Sequence, residues 1–258
     1  MDQAYLLAGL LQGLLEWLPV SSSGQVMLAL SLSLGLSPGI AYELSLALHG
    51  GTLLSAIAYY WRSVVSGIVG LTRPMECEVS RIWLIATPVS VAVGYPLFLL
   101  YERIAGGVGL DWLMILVGAP LTLIGVAGLS LSGSEREELT LRDILWLAVA
   151  QGVAAIPGVS RSGLTIAVLV LRGVSPLKAV RSSFLAGIPV ILLAAVYTGL
   201  VEGAYLASSM GVALASSFLS GLAGIYFMEL LARRLNMHVF SLVVGLVLVA
   251  SGLVALIL

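Results

Sequence analysis

The chain has 258 residues, 60% of them hydrophobic and 10% charged, with a mean hydropathy of +1.10. Soluble domains carry about 25% charged residues, so this composition excludes a soluble fold and directs attention to a membrane protein. Its net charge of -1 comes from 12 basic and 13 acidic residues with no basic run, which offers nucleic acid no landing surface.

Taken in chain order, residues 3–34 are apolar but broken halfway by Pro19-Val20-Ser21-Ser22-Ser23-Gly24, and the first arm carries Gln12 and Glu16. That arm has no basic start, so it is expected to belong to the mature fold rather than to a cleaved leader. Three apolar stretches follow, near 42–61, 82–101 and 112–131, each long enough for the roughly 20 residues that cross a bilayer. Cys77, the single cysteine, lies between Glu76 and Glu78 in a polar loop and is read as incidental. Residues 143–172 repeat the earlier pattern, broken by Pro157-Gly158-Val159-Ser160-Arg161-Ser162-Gly163, and spans near 182–201, 209–228 and 238–257 complete the chain. The arms of the two broken regions are too short to cross. Proline disfavours helix in the residue before it, and serine followed by glycine can start a new helix, so both regions read as re-entrant helical hairpins. Trp17, Trp61, Trp83, Trp112 and Trp146 fall near predicted segment ends and are expected to anchor at the membrane interface.

The hairpins also resemble each other. Val20-Ser21-Ser22-Ser23-Gly24 matches Val159-Ser160-Arg161-Ser162-Gly163, Gly35-Leu36-Ser37-Pro38 matches Gly173-Val174-Ser175-Pro176, Gln12-Gly13 mirrors Gln151-Gly152, and Glu43 falls opposite Arg181. The expected architecture is an all-α integral membrane protein in one domain, residues 1–258. Repeat one covers about 1–131 and repeat two about 140–258, with six transmembrane helices and two re-entrant hairpins in all. Three spans per repeat is odd, so the second copy enters from the opposite face. With that topology, Arg62, Arg73, Arg81, Arg136, Arg142, Arg172, Lys178, Arg181, Arg233 and Arg234 share one face and Arg103 lies on the other. The bias makes the basic face cytoplasmic, with both termini and the first hairpin mouth outside and the second mouth cytoplasmic.

Irregular backbone at membrane depth must line protein or a wet cavity. Each predicted tip opens a helix whose free N–H groups and dipole attract anions. Ser21, Ser22, Ser23, Ser160 and Ser162 add hydroxyls, although helix capping alone would occupy several of them. Arg161 adds a fork suited to phosphate. Glu16 lies four residues from Gln12 on one helix face. As an ionisable group inside the membrane it is either functional or the structural partner of Arg161. His49, before Gly50-Gly51, stands where a general acid or base would be useful, or is a hydrogen-bonded core histidine. Glu43 and Arg181 are expected to pair or to rim the pocket.

The segment Glu16-Trp17-Leu18-Pro19-Val20-Ser21-Ser22-Ser23-Gly24 together with Pro157-Gly158-Val159-Ser160-Arg161-Ser162-Gly163 resembles the two signature motifs of the undecaprenyl pyrophosphate phosphatase, or bacitracin-resistance protein, family. Tyr42-Glu43, Leu48-His49-Gly50-Gly51-Thr52-Leu53-Leu54 and Ala179-Val180-Arg181-Ser182-Ser183-Phe184-Leu185 extend the likeness over most of the chain. The resemblance implies a plasma-membrane enzyme that dephosphorylates a polyprenyl diphosphate at the outer face with help from a divalent cation, Mg or Ca. Neither the sequence nor the resemblance names the metal ligands, and a homodimer is among the assemblies open to such a protein. By matched position Ser22 corresponds to the nucleophile, Glu16 to an essential acid and Arg161 to the phosphate-binding arginine. His49 is the candidate proton carrier, and Gln12, Ser21, Ser23, Gly24, Gln25, Ser160, Ser162 and Gly163 are the candidate substrate-binding residues. The chain departs from the family at Gln12, where a second glutamate is usual, and at Gln25, where a histidine is usual. Glutamine exchanges no proton at neutral pH. A non-hydrolytic carrier or binder of polyprenyl phosphate lipids is therefore the alternative expectation, whereas an ion channel is disfavoured because no span carries a repeated polar face.

Overall fold

The computed structural model describes residues 2–36, 38–104, 135–156, 159–200, 210–234 and 237–257, with single positions at 115, 118, 119, 122 and 126. Among these residues the protein is all helical: α1 Asp2–Trp17, α2 Ser22–Leu34, α3 Pro38–Ala47, α4 His49–Tyr59, α5 Trp61–Gly70, α6 Glu78–Ile104, α7 Leu141–Val153, α8 Arg161–Leu171, α9 Pro176–Leu200, α10 Met210–Ala232 and α11 Met237–Ile257. Three helices are long and apolar enough to cross a bilayer, over Glu78–Tyr101, Pro176–Val196 and Met210–Ala232. The expected span at 112–131, with Trp112, lies almost wholly outside the described residues, as do the Pro157-Gly158 corner, Ser37 and the side chain of Glu43.

The stretch expected as one span at 42–61 is instead two helices, α3 and α4, followed by an 86° turn into α5. The interruption has a local cause. His49 Nδ1 lies 3.0 Å from the Ser45 carbonyl and 3.1 Å from that of Leu46, and Ser217 donates to the Leu48 carbonyl at 3.1 Å. Side chains thus take acceptors that a continuous helix would give to its own N–H groups.

α1 and α2 form one hairpin and α7 and α8 the other. α1 lies along α10 in the same direction: Ser220 donates to the Gly9 carbonyl, Gly13 faces Ser217 and Gly221, and Trp17 reaches Gly221 and Gly224. Small residues let the two backbones approach closely, and van der Waals contact then replaces the hydrophobic driving force that lipid cannot supply. α7 lies along α6 in the same manner. Gln151 donates to Ser90 at 3.2 Å, and Gly152 packs against Ser90 and Val93. Both hairpins turn back beside the middle of a long helix.

The two glycines with positive φ are Gly35 at 63° and Gly173 at 82°, the matched pair of the sequence repeat. Each follows the return arm of its hairpin, where a left-handed residue stops the helix at little steric cost. Basic residues gather at one end of the bundle. Asp143, fully buried, is held by Arg136 at 3.0 Å and Arg172 at 2.7 Å, and closes a capping box with Thr140. Lys178 pairs with Glu78 at 2.6 Å, tying the starts of α9 and α6.

Arg181, expected to pair with Glu43 or to rim the pocket, is placed independently of Glu43, whose side chain lies outside the described residues. It grips Glu229, near the end of α10, through Nε at 2.8 Å and Nη2 at 2.9 Å, because α9 and α10 run antiparallel and bring these ends together. The expectation for tryptophan also divides. Trp61 and Trp146 are exposed, but Trp17 is fully buried against Phe184, edge-on at 4.7 Å between ring centroids. Trp83 donates to the Leu185 carbonyl at 2.8 Å and packs on Gly67. These two rings belong to the core rather than to the interface, since α1 and α6 pack inward on neighbouring helices.

Candidate active site

The two hairpin corners touch. Ser162 Oγ donates to the Leu18 carbonyl at 2.8 Å, and Gly163 sits against Pro19, where a Cβ would come within 3.2 Å of the proline Cα. Glycine at this position permits the contact between corners.

The corners are capped differently. Ser160, the N-cap of α8, accepts a hydrogen bond from the Gly163 N–H, whereas Ser21, the N-cap of α2, makes no such bond. The first-turn amides of α2 therefore retain their capacity to bind an anion.

Glu16 joins the groups that sequence reasoning singled out. Its Oε2 accepts from Ser22 Oγ at 2.7 Å and from Gln12 Nε2 at 3.1 Å, and lies 3.2 Å from His49 Nε2. Its Oε1 accepts from Arg161 Nη2 at 2.9 Å. Arg161 Nη1 also donates to the Ser183 carbonyl at 3.3 Å, and its guanidinium carbon lies 5.8 Å from the centroid of the Trp17 ring, a cation–π distance. Both ring nitrogens of His49 face acceptors, the Ser45 and Leu46 carbonyls on one side and the Glu16 carboxylate on the other. Ser22 and Arg161 thus address the same carboxylate from opposite hairpins.

These groups line a cavity of about 330 Å³ with Val20, Ser21, Ser23, Ser160, Ser162, Leu46, Val190, Ile191 and Ala194. Its mixed walls suit a small polyanion bearing an apolar tail. Gln12 is fully buried behind Glu16 rather than on the cavity wall. Gly24 lies in the first turn of α2, Gly163 packs between the corners, and Gln25 is exposed and does not line the cavity.

Several residues enter the site without having been singled out for it. Gln151 and Ser90 line the cavity as a bonded pair; the Gln12-Gly13 match to Gln151-Gly152 was the available signal. Trp17 and Ser183 position Arg161, and Gly187 leaves room for it, since a Cβ there would fall 2.7 Å from the guanidinium carbon. A glycine inside an apolar helix carries no sequence sign of such a role.

Among the described residues no group of three or more His, Cys, Asp or Glu side chains is placed to hold a metal. Buried oxygens are nonetheless present: Glu16, and Oε1 of Gln12, which has no hydrogen-bond partner.

Comparison with known proteins adds an independent finding. The family model of bacitracin resistance protein BacA matches residues 5–250. Among curated relatives, the undecaprenyl-diphosphatase of Methanothrix thermoacetophila is 35% identical over 250 residues, covering 95% of this chain and 94% of that protein. The undecaprenyl-diphosphatase of Haloarcula marismortui is 36% identical over 264 residues, 97% of each chain. That of Saccharolobus solfataricus is 33% identical over 272 residues, 96% of this chain and 94% of the relative.

Proposed function

The chain belongs to the bacitracin resistance protein BacA family, and on that premise we propose that it is a membrane phosphatase converting a polyprenyl diphosphate of the undecaprenyl type to the lipid monophosphate and inorganic phosphate. The carrying observation is the bond from Ser22 Oγ to Glu16 Oε2 at 2.7 Å, on a carboxylate that Arg161 and His49 also hold. A hydroxyl, a proton acceptor and a guanidinium meet on one cavity wall.

Ser22 Oγ attacks the terminal phosphorus, the bond to the bridging oxygen breaks, and the lipid monophosphate departs. The serine proton passes to the Glu16–His49 pair and from it to the departing bridging oxygen. Water then attacks the phosphoserine and gives its proton to the same pair, which returns one to Ser22 Oγ as inorganic phosphate leaves. Arg161 has five N–H donors; those not committed to Glu16 and Ser183, with the first-turn amides of α2, meet the charge on the transferring phosphoryl group. A divalent cation, Mg or Ca, would have Glu16 as the carboxylate available to it on the cavity wall and would neutralise diphosphate charge there.

In the membrane the two hairpins are re-entrant from opposite faces, within an inverted repeat of six spans that leaves both termini and the substrate entrance outside. The packing of α1 along α10 and of α7 along α6, each a hairpin arm of one repeat against a long helix of the other, and the shared turn at Gly35 and Gly173, support this arrangement.

Phosphate release from a polyprenyl diphosphate by purified protein in detergent tests the reading, with Ser22→Ala as the inactive control. No release with any divalent cation, from protein that still binds the lipid, would end it. A second reading, carriage of polyprenyl phosphate without hydrolysis, is favoured by Gln12, which contacts Glu16 where an acid would share the proton work. Lipid movement across proteoliposomes that persists in Ser22→Ala would select it.

A further inference from the structure

Away from the catalytic cavity, two depressions meet where α4 bends into α5. The first, about 490 Å³, is lined by Leu54, Ile57, Ala58, Trp61 and Phe218, all apolar, and runs between α4 and α10. The second, about 680 Å³, includes Tyr60, Arg62, Ser63, Arg181 and Glu229. Ala58 and Trp61 belong to both. Neither shares a lining residue with the cavity of Ser22 and Arg161.

We propose that this trough and cup together hold a phosphate-headed anionic membrane lipid, with an acyl chain along Leu54, Ile57 and Phe218 and the phosphate against Arg62 and Arg181. The charge balance favours an anion. Glu229 is the carboxylate in the cup, and it is nearly buried. Arg181 neutralises it through two bonds, the Tyr60 hydroxyl donates to it at 2.9 Å, and Arg233 approaches within 3.9 Å. Glu229 also holds the Arg181 fork in place, so less freedom is lost on binding.

The side chain of Arg62 is exposed and takes part in no hydrogen bond or ion pair among the described residues, so its charge is available to a ligand. The joint itself suits the border of a bilayer. The 86° bend turns α5 away from the line of α4, and Trp61, 61% exposed, stands at the corner with its ring available to the headgroup layer.

The combination identifies the occupant. A free anion has no use for the apolar trough, and an apolar peptide has none for the arginines. A lipid with one chain in the trough and a charged head in the cup uses both. The inference does not depend on Ser22 being a nucleophile.

Native mass spectrometry of the whole protein released from dodecylmaltoside tests it, after addition of dioleoylphosphatidylglycerol or dioleoylphosphatidylcholine. Wild-type protein should retain the glycerol lipid in preference to the choline lipid, and excess inorganic phosphate should not displace it. Arg62→Gln should cut retention about fivefold, the loss of one basic residue's attraction to an anionic lipid. Ala58→Trp, on an exposed helix face, should fill the junction and abolish retention. Both variants should keep wild-type thermal unfolding and phosphate release. Equal retention of the two lipids, displacement by inorganic phosphate, or wild-type retention in both variants would overturn the assignment.

Discussion

Exchanging Arg161 for lysine keeps the positive charge and removes the fork, and so separates charge from geometry at the site. Arg161 bonds Glu16 at 2.9 Å through Nη2 and the Ser183 carbonyl at 3.3 Å through Nη1, with its carbon 5.8 Å from the Trp17 ring centroid. One ammonium cannot span Glu16 and Ser183 and also present paired donors to a phosphoryl group. The loss of one hydrogen bond from a charged donor costs about 1.5–3 kcal/mol, or roughly 10- to 150-fold in rate. Because the bond strengthens as charge develops in the transition state, kcat should carry most of the fall and KM little of it. Stability should change little, since Glu16 keeps His49, Gln12, Ser22 and a cation. Arg161→Ala removes the charge as well and should lose at least about tenfold more, with lower thermal stability. Phosphate release from a polyprenyl diphosphate across a substrate range, alongside thermal unfolding, reads both effects. If the lysine variant stays within about twofold of wild type, or alanine performs no worse than lysine, the guanidinium does not hold the transferring group.

Ser22→Ala should lower kcat by about a thousandfold or more while lipid binding persists, checked by single-turnover phosphate release and lipid retention. Gly187→Ala places a methyl group against the guanidinium of Arg161; the expected outcome is a folded protein whose kcat/KM falls about tenfold, because a shift of the side chain is less costly than a shift of α9. Gly13→Ala should damage folding and activity together, since its Cβ would meet the backbone nitrogen of Gly221 at 2.6 Å and push α1, with Glu16, away from α10; thermal unfolding and phosphate release measured on one sample check this. Asp143→Asn should lower stability by about 3 kcal/mol, by leaving Arg136 and Arg172 without a buried counter-charge and weakening the Thr140 cap. Its activity per folded molecule should be retained, measured by denaturation and by phosphate release normalised to folded protein.

Much of the site was legible because its chemistry was written as local pattern. The two broken apolar regions announced the corners, and their shared Val-Ser-x-Ser-Gly core announced that the corners belong together. Glu16, Ser22, His49 and Arg161 were singled out as ionisable or nucleophilic groups in apolar surroundings, where burial is costly without a purpose. The structure brings these four together. Other residues were not legible. Gln25 stands next to the motif but points outward, because sequence adjacency does not say which side of α2 faces the cavity. Nothing in the repeat pattern pointed from Arg181 to Glu229, the partner it has in the structure, 48 residues away.

Composition and periodicity alone determine that the chain is helical and suited to lipid, and where its helices break. Those properties depend on residues a few positions apart and on the cost of exposing charge or unpaired backbone to hydrocarbon. Which helices meet was decided only in three dimensions: α1 lies on α10 through Gly9, Gly13, Ser217 and Gly221, and Gly187 makes space for Arg161. Small residues have no chemistry that would mark them in advance. Their effect is the distance at which two backbones can pack, and that distance has no meaning until both helices are in place.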